Sequence, residues 1–300
     1  MLVRRSLVVT ASTAALLGAT AVGVRTLLSR QAAVARRRIG KPLGEDALDA
    51  DRVWRRKKHA GVPVDLLLLG DSIAAGLGAG HRRDTLGARL AKGIARDARR
   101  PVRLRTAAVV GSETSALAAQ LGTLPEDYRA DIAVIVIGGN DVTHRIPVSR
   151  SAQQLEDAVR ALVRQGTPVV VGACPDLGTL RAIPQPLRAL AARASRQLAA
   201  AQTVAARRAG ARVVALARAV GPVFAERPHE MFSVDRFHPS ALGYRRTADA
   251  LLPAVLAALA AAAPSAAAPS AAAPSAPGSA LPRREHATST SAHARVERNA

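Results

Sequence analysis

Three hundred residues can hold one or two domains and build one sizeable core. The formal net charge of +21 points to nucleic acid or an anionic membrane surface, but an aromatic content of 2% argues against a single-strand stacking platform, so no nucleic-acid partner is expected. The one cysteine, Cys174, excludes an intramolecular disulfide and leaves the redox compartment open.

Arg4 and Arg5 precede an uncharged run over residues 6–24, rich in Ala, Thr and Gly. Residues 1–28 therefore read as a signal peptide or an N-terminal membrane anchor of marginal hydrophobicity, with a buried Ala-rich helix as the bland alternative. Ala19-Thr20-Ala21 has the small-x-small form of a cleavage site. Arg25, Arg30, Arg36, Arg37, Arg38 and Lys41 follow closely, and the positive-inside rule applied to them keeps the main domain cytoplasmic. Residues 29–59 read as a basic linker, densest at Arg55-Arg56-Lys57-Lys58. It is expected to be a solvated segment, or one that meets anionic lipid headgroups.

From Val62 onward the pattern alternates strand and helix. Strands are expected at 64–69, 102–110, 132–137, 169–171 and 212–216. Helices are expected at 85–97, 114–121, 151–165, 187–209 and 239–260, the last kinked at Pro253. Such alternation predicts a three-layer α/β/α domain over residues 60–260, with a five-stranded, mostly parallel sheet. Residues 261–300, with their repeated Ala-Ala-Ala-Pro-Ser, are expected to be disordered.

The first strand runs from Val64 straight into Gly70-Asp71-Ser72, with small, Gly-rich residues after it. A serine there lies outside the carboxyl end of a buried strand, where open α/β sheets bind ligands, so Ser72 is a candidate nucleophile. Near the end of the domain stands Asp235-Arg236-Phe237-His238-Pro239. His238 is the candidate base, since imidazole titrates near neutrality, and Asp235 can reach Nδ1 across one turn of chain. Pro239 is expected in the first turn of the last helix, with His238 just before its N-terminus. Asp71 and Asp141 read as structural hydrogen-bonding residues of their loops. His81, His144 and His229 read as surface residues without partners, and Cys174 as packing.

Between these blocks lie Val110-Gly111-Ser112 and Gly138-Gly139-Asn140-Asp141, each ending an apolar run. The four blocks together resemble the SGNH, or GDSL, hydrolase family of esterases and lipases, over roughly residues 60–260. The resemblance implies a flavodoxin-like fold and a carboxylic ester hydrolase that needs no cofactor and no metal. It implies catalytic Ser72, Asp235 and His238, and an oxyanion hole made by the backbone N–H of Ser72, the backbone N–H of Gly111 and the Asn140 amide. The expected partner is a small ester, and the expected state a monomer. Together with a cleavable signal, the resemblance favours export: a secreted or membrane-anchored protein with an extracytoplasmic domain, against the cytoplasmic-facing alternative. Two other readings compete with the esterase: a non-catalytic relative that only binds acyl or glycan groups, and a basic surface-interaction protein. The loops after the first, third and fourth strands hold no Phe, Tyr or Trp, and the phenylalanines near His238 are expected to pack the last helix. That predicts a small aliphatic acyl group, with an arginine available to an anionic part of the substrate.

Overall fold

The computed structural model describes residues 2–262, with side chains from residue 20 onward. Its strands are β1 (Val53–Trp54), β2 (Val64–Gly70), β3 (Val102–Thr106), β4 (Ile132–Val136), β5 (Val169–Ala173) and β6 (Arg212–Ala215). They form one sheet in the order β1-β3-β2-β4-β5-β6, parallel throughout except for antiparallel β1 at the edge. The five parallel strands are the expected ones, and their order is the doubly wound, flavodoxin-like one. The sixth strand was not foreseen, because two residues carry no periodic signature.

Leu66, Leu67, Leu68 and Leu69 show how the chain dictates three layers. All four are fully buried, and alternate residues of a strand face opposite sides of the sheet. Leu66 and Leu68 pack with the helices Leu86–Ala98 and Ala241–Ala262. Leu67 and Leu69 pack with Leu155 and Val159 of the helix Val148–Arg164. Each such leucine contributes about 1.5–3 kcal/mol of burial, and an unbroken apolar strand is stable only with both faces covered.

Two buried glutamines brace the carboxyl ends of the strands. Gln120 accepts from Gly70 N (2.9 Å) and donates to Gly70 O (2.7 Å) and to Ser112 Oγ (3.3 Å). Gln202, on the helix Leu187–Arg208, accepts from Cys174 N (2.8 Å) and donates to Ile137 O (3.0 Å). These bonds satisfy main-chain groups where the ladder stops and the loops of the site begin.

Several expectations change. Residues 29–39, read as linker, continue a helix that spans Leu2–Ile39. Its end is docked: Ala35 is buried with Leu177, Leu180 and Ile183, and Gln31 donates to Gln185 O and accepts from Leu187 N (2.9 Å). None of the described helices is long and apolar enough to cross a membrane. Most of the expected signal or anchor, residues 6–19, lies where side chains are not described. Later in that linker, Trp54 belongs to β1 and lies against the cationic ends of Lys92 and Arg52.

The last helix begins at Ala241, not Pro239. Ser240 caps it, its carbonyl accepting from Tyr244 N (2.8 Å) and its hydroxyl from Gly243 N (3.1 Å). Pro239 instead forms a bridge with Phe232. The helix continues through Pro253, which is exposed. It also takes in residues 261 and 262, read as tail; the rest of that expected disordered segment, residues 263–300, lies outside the described residues.

Candidate active site

The site lies at the switch point between β2 and β4, where the strand order reverses. β2 delivers Ser72 as the first residue of a single helical turn, Ser72–Ala75, capped by Asp71, whose Oδ1 accepts from Ile73 N (3.0 Å). β4 delivers Asn140 on the short helix Gly139–His144. Gly138 before it holds φ +130, and a Cβ there would stand 2.9 Å from Gln202 Nε2.

His238 Nε2 lies 2.9 Å from Ser72 Oγ, and His238 Nδ1 lies 2.6 Å from Asp235 Oδ2. The other Asp235 oxygen accepts from the amides of Phe237 and His238, both at 3.0 Å. The turn is closed by Arg236 at φ +57, with its N–H bonded to Ser233 O (2.9 Å). Asp235 is buried at 3% exposure. Burial alone would raise its carboxyl; the bonds from His238 and from the two amides outweigh that and hold it below the usual range. A carboxylate that stays ionised there fixes the imidazole orientation and leaves Nε2 toward the serine.

Asn140 Nδ2 donates to Ser112 O (2.9 Å), which orients its amide and leaves the second amide hydrogen uncommitted. Gly111, at φ +82, is the exposed residue just before Ser112. Among the described residues, neither the Ser72 N–H nor the Gly111 N–H has an acceptor. Asp141 is structural as expected, accepting from Thr114 N (3.0 Å) and Ser151 Oγ (2.5 Å). His144 corrects the sequence reading: its Nδ1 meets Glu113 Oε1 at 2.7 Å, so it does have a partner. That contact and the Asn140–Ser112 bond both strap the loop after β3 to the loop after β4. His81 and His229 are exposed, and Cys174 is buried, which pushes its thiol up.

Beside Ser72 and His238 opens a largely apolar cavity of about 70 Å³, walled by Leu180, Leu216, Val220, Phe224, Phe232 and Phe237. The aromatic walls overturn the expectation of a rim without Phe, Tyr or Trp, while Phe224 and Phe232 also pack beside the last helix as expected. Phe224 and Phe232 meet edge to face at 5.0 Å, and Phe237 meets the His238 ring at 4.9 Å. Phe224 and Phe232 come from the segment that leads into the Asp-His turn and Phe237 from within it, and none comes from the loops after the first, third and fourth parallel strands. Among the described residues no group of His, Cys, Asp or Glu is arranged to hold a metal ion.

Asp71 sits under this arrangement at 3% exposure. Burial pushes its carboxyl up to about 6, against the opposing pull of the Ile73 amide, the nearby His238 and the amides of Gly139 and Gly138. The folded state thus holds this proton more tightly than the unfolded chain. Its contribution to stability is complete below the ordinary value of 3.8 and is lost as pH rises through about 6. Asp71→Asn, which cannot ionise, is therefore expected to gain Tm relative to the wild type across that interval. Paired thermal melts at stepped pH measure the difference, and a constant offset would contradict it.

The three-layer α/β fold holds a serine in contact with a histidine at the mouth of its sheet. The chain belongs to the GDSL-like lipase/acylhydrolase family, whose model matches residues 68–246, and it is a carboxylic ester hydrolase. It is 40% identical over 267 residues to a GDSL-like esterase of Mycobacterium tuberculosis, covering 85% of each chain. Its fold is similar to that of a lipase/acylhydrolase from Enterococcus faecalis (21% identity, 63% of this chain and 94% of that one, TM-score 0.50). An acetyl xylan esterase is similar at the same level (17% identity, 64% and 100% of the two chains, TM-score 0.52).

Proposed function

We propose that the chain is a serine esterase for short-chain acyl esters, with Ser72 as nucleophile, His238 as general base and Asp235 as the group that orients it. The reading rests on one observation, the continuous contact from Ser72 Oγ to His238 Nε2 and from Nδ1 to Asp235. In the first half-reaction Ser72 Oγ bonds to the ester carbonyl carbon while Nε2 takes its proton. The carbonyl electron pair moves onto oxygen, toward the free N–H of Ser72, that of Gly111 and the free Asn140 amide hydrogen. The pair then returns, the C–O bond to the alcohol breaks, and the alcohol leaves with the proton from Nε2. Water repeats the sequence on the acyl-serine and releases the acid.

A fluorophosphonate that reacts with activated serines tests the assignment by the site it labels. Wild type should be modified at Ser72 and Ser72→Ala left untouched; modification of another serine in both proteins would remove the basis of the reading. Asn140→Ala is expected to lower kcat by about 10²–10³, the usual loss for one oxyanion donor, with little change in KM. An unchanged kcat in steady-state assays would take Asn140 out of the hole.

The acyl length follows from the cavity. About 70 Å³ of space admits only a few water-sized groups, and its walls are apolar. Each methylene that enters should add up to about 0.8 kcal/mol until the space is filled. We expect kcat/KM to peak between acetyl and hexanoyl in a series of p-nitrophenyl esters and to fall well before palmitoyl. An optimum beyond about twelve carbons would show a longer acyl channel than this cavity provides.

A further inference from the structure

A second cavity, of about 590 Å³, is lined by Arg236 of the Asp-His segment and shares Phe232 with the first. Its charged lining is unusual in origin. Arg38 comes from the last turn of the first helix, Arg181 from the loop after β5, and Arg236 from between Asp235 and His238. Three distant stretches of chain thus bring a guanidinium to one concavity, and no Asp or Glu lines it. Elsewhere the described arginines that face carboxylates bond to them, as Arg89 does to Asp84 and Arg208 to Glu156. Among the described residues Arg38 and Arg236 meet no carboxylate, and Arg181 spends one donor on Ala225 O (3.1 Å). His229 and the hydroxyl-bearing residues Ser233 and Ser240 complete the polar lining.

The arrangement is tied to the catalytic loop by close packing. Gly78, which lines the cavity, approaches so near that a Cβ would stand 2.6 Å from Pro239 O and 3.0 Å from His238 Cβ. Arg38 is carried by the docked end of the first helix, one turn after the buried Ala35. We infer that this cavity is an anion subsite, which takes a phosphate or comparable dianion on the alcohol part of the ester. The inference rests on the serine-esterase reading for its substrate, but not for the binding of the anion itself. The acyl group belongs in the small apolar cavity, because a charged group there would lose its hydration without gaining partners. The remaining part of the substrate carries the anion, and planar guanidiniums offer the paired donors that a phosphate accepts.

The test uses the full chain and the variant R38Q/R181Q, which leaves the Asp235–His238 turn intact. Calorimetric titration with inorganic phosphate should show saturable binding to wild type, weakened by at least about tenfold in the variant, the cost of losing charge-assisted bonds. No saturable heat at tens of millimolar phosphate, or equal binding by both proteins, overturns the site. The second measurement compares acetylglycerol with acetylglycerol 3-phosphate. Wild type should prefer the phosphorylated ester in kcat/KM by at least about tenfold, and the variant should lose most of that preference. A ratio near one in wild type overturns the assignment to substrate. Arginine-dependent phosphate binding in a protein that hydrolyses neither ester would sink the esterase reading and leave the anion site standing. Sedimentation with phosphatidylglycerol but not phosphatidylcholine vesicles, lost in the variant and unaccompanied by binding of soluble phosphate, would assign the arginines to a membrane surface and overturn the cavity as a substrate site.

Discussion

Ser72→Ala is expected to lower kcat by on the order of 10⁶, and His238→Ala by a similar factor, because nucleophile and base act as one unit. The two changes combined should therefore cost little more than either alone. Asp235→Asn is expected to cost less, on the order of 10⁴. Asparagine can keep one oxygen on the amides of Phe237 and His238, so the turn survives while the charge that holds the imidazole tautomer is lost. Single-turnover kinetics with a chromogenic ester reads all four proteins in the chemical step. Additive losses in the double variant would mean that Ser72 and His238 serve separate steps, and wild-type rates in Asp235→Asn would leave the histidine without its orienting partner.

Gly70→Ala should be among the most damaging single changes to stability, at about 4 kcal/mol or more, the range reserved for backbone clash and strain. Gly70 holds φ +134, a conformation that L side chains rarely adopt, and a Cβ there would stand 1.9 Å from Val136 O. That oxygen is main chain and also accepts from Asp71 N (3.1 Å), so it cannot move aside. The glycine is where β2 leaves β4 and turns to present Ser72. Chemical denaturation of the variant would measure the loss. A shift of less than about 1 kcal/mol, an ordinary surface effect, would mean that the loop relaxes in a way the packing here does not suggest.

How much of this was legible without coordinates depended on whether a residue carried a periodic or local signal. Leu66 to Leu69, Ile132 to Val136 and the helices between them showed buried strands and amphipathic stretches, and all appear in the sheet and its layers. Ser72 and Asn140 were legible because each stands in a short block at the end of an apolar run, and the Asp235–His238 pair because its spacing lets the carboxylate reach the imidazole across one turn of chain. β1 was hidden by its length, since its pairing depends on β3 more than on its own two residues. The partner of His144 was hidden because Glu113 is 31 positions away. The aromatic wall was misplaced for a related reason. Phe224 and Phe232 do neighbour the last helix, and only the three-dimensional path of the chain shows that the same rings face the cavity.

The two glutamines that brace the strand ends set how the site responds to its surroundings. An amide carries no net charge and does not titrate as a carboxylate does. The Gly70–Gln120 and Ile137–Gln202 contacts should therefore keep their geometry when acidity or ionic strength changes. Glutamate at either position would retain the acceptor, lose the donor and add a buried charge. The scaffold thus separates the groups that hold the mouth of the sheet open from those that exchange protons during turnover. The pH-dependent loss of stability expected above then arises at Asp71, whose carboxyl burial raises, and not at the amide braces.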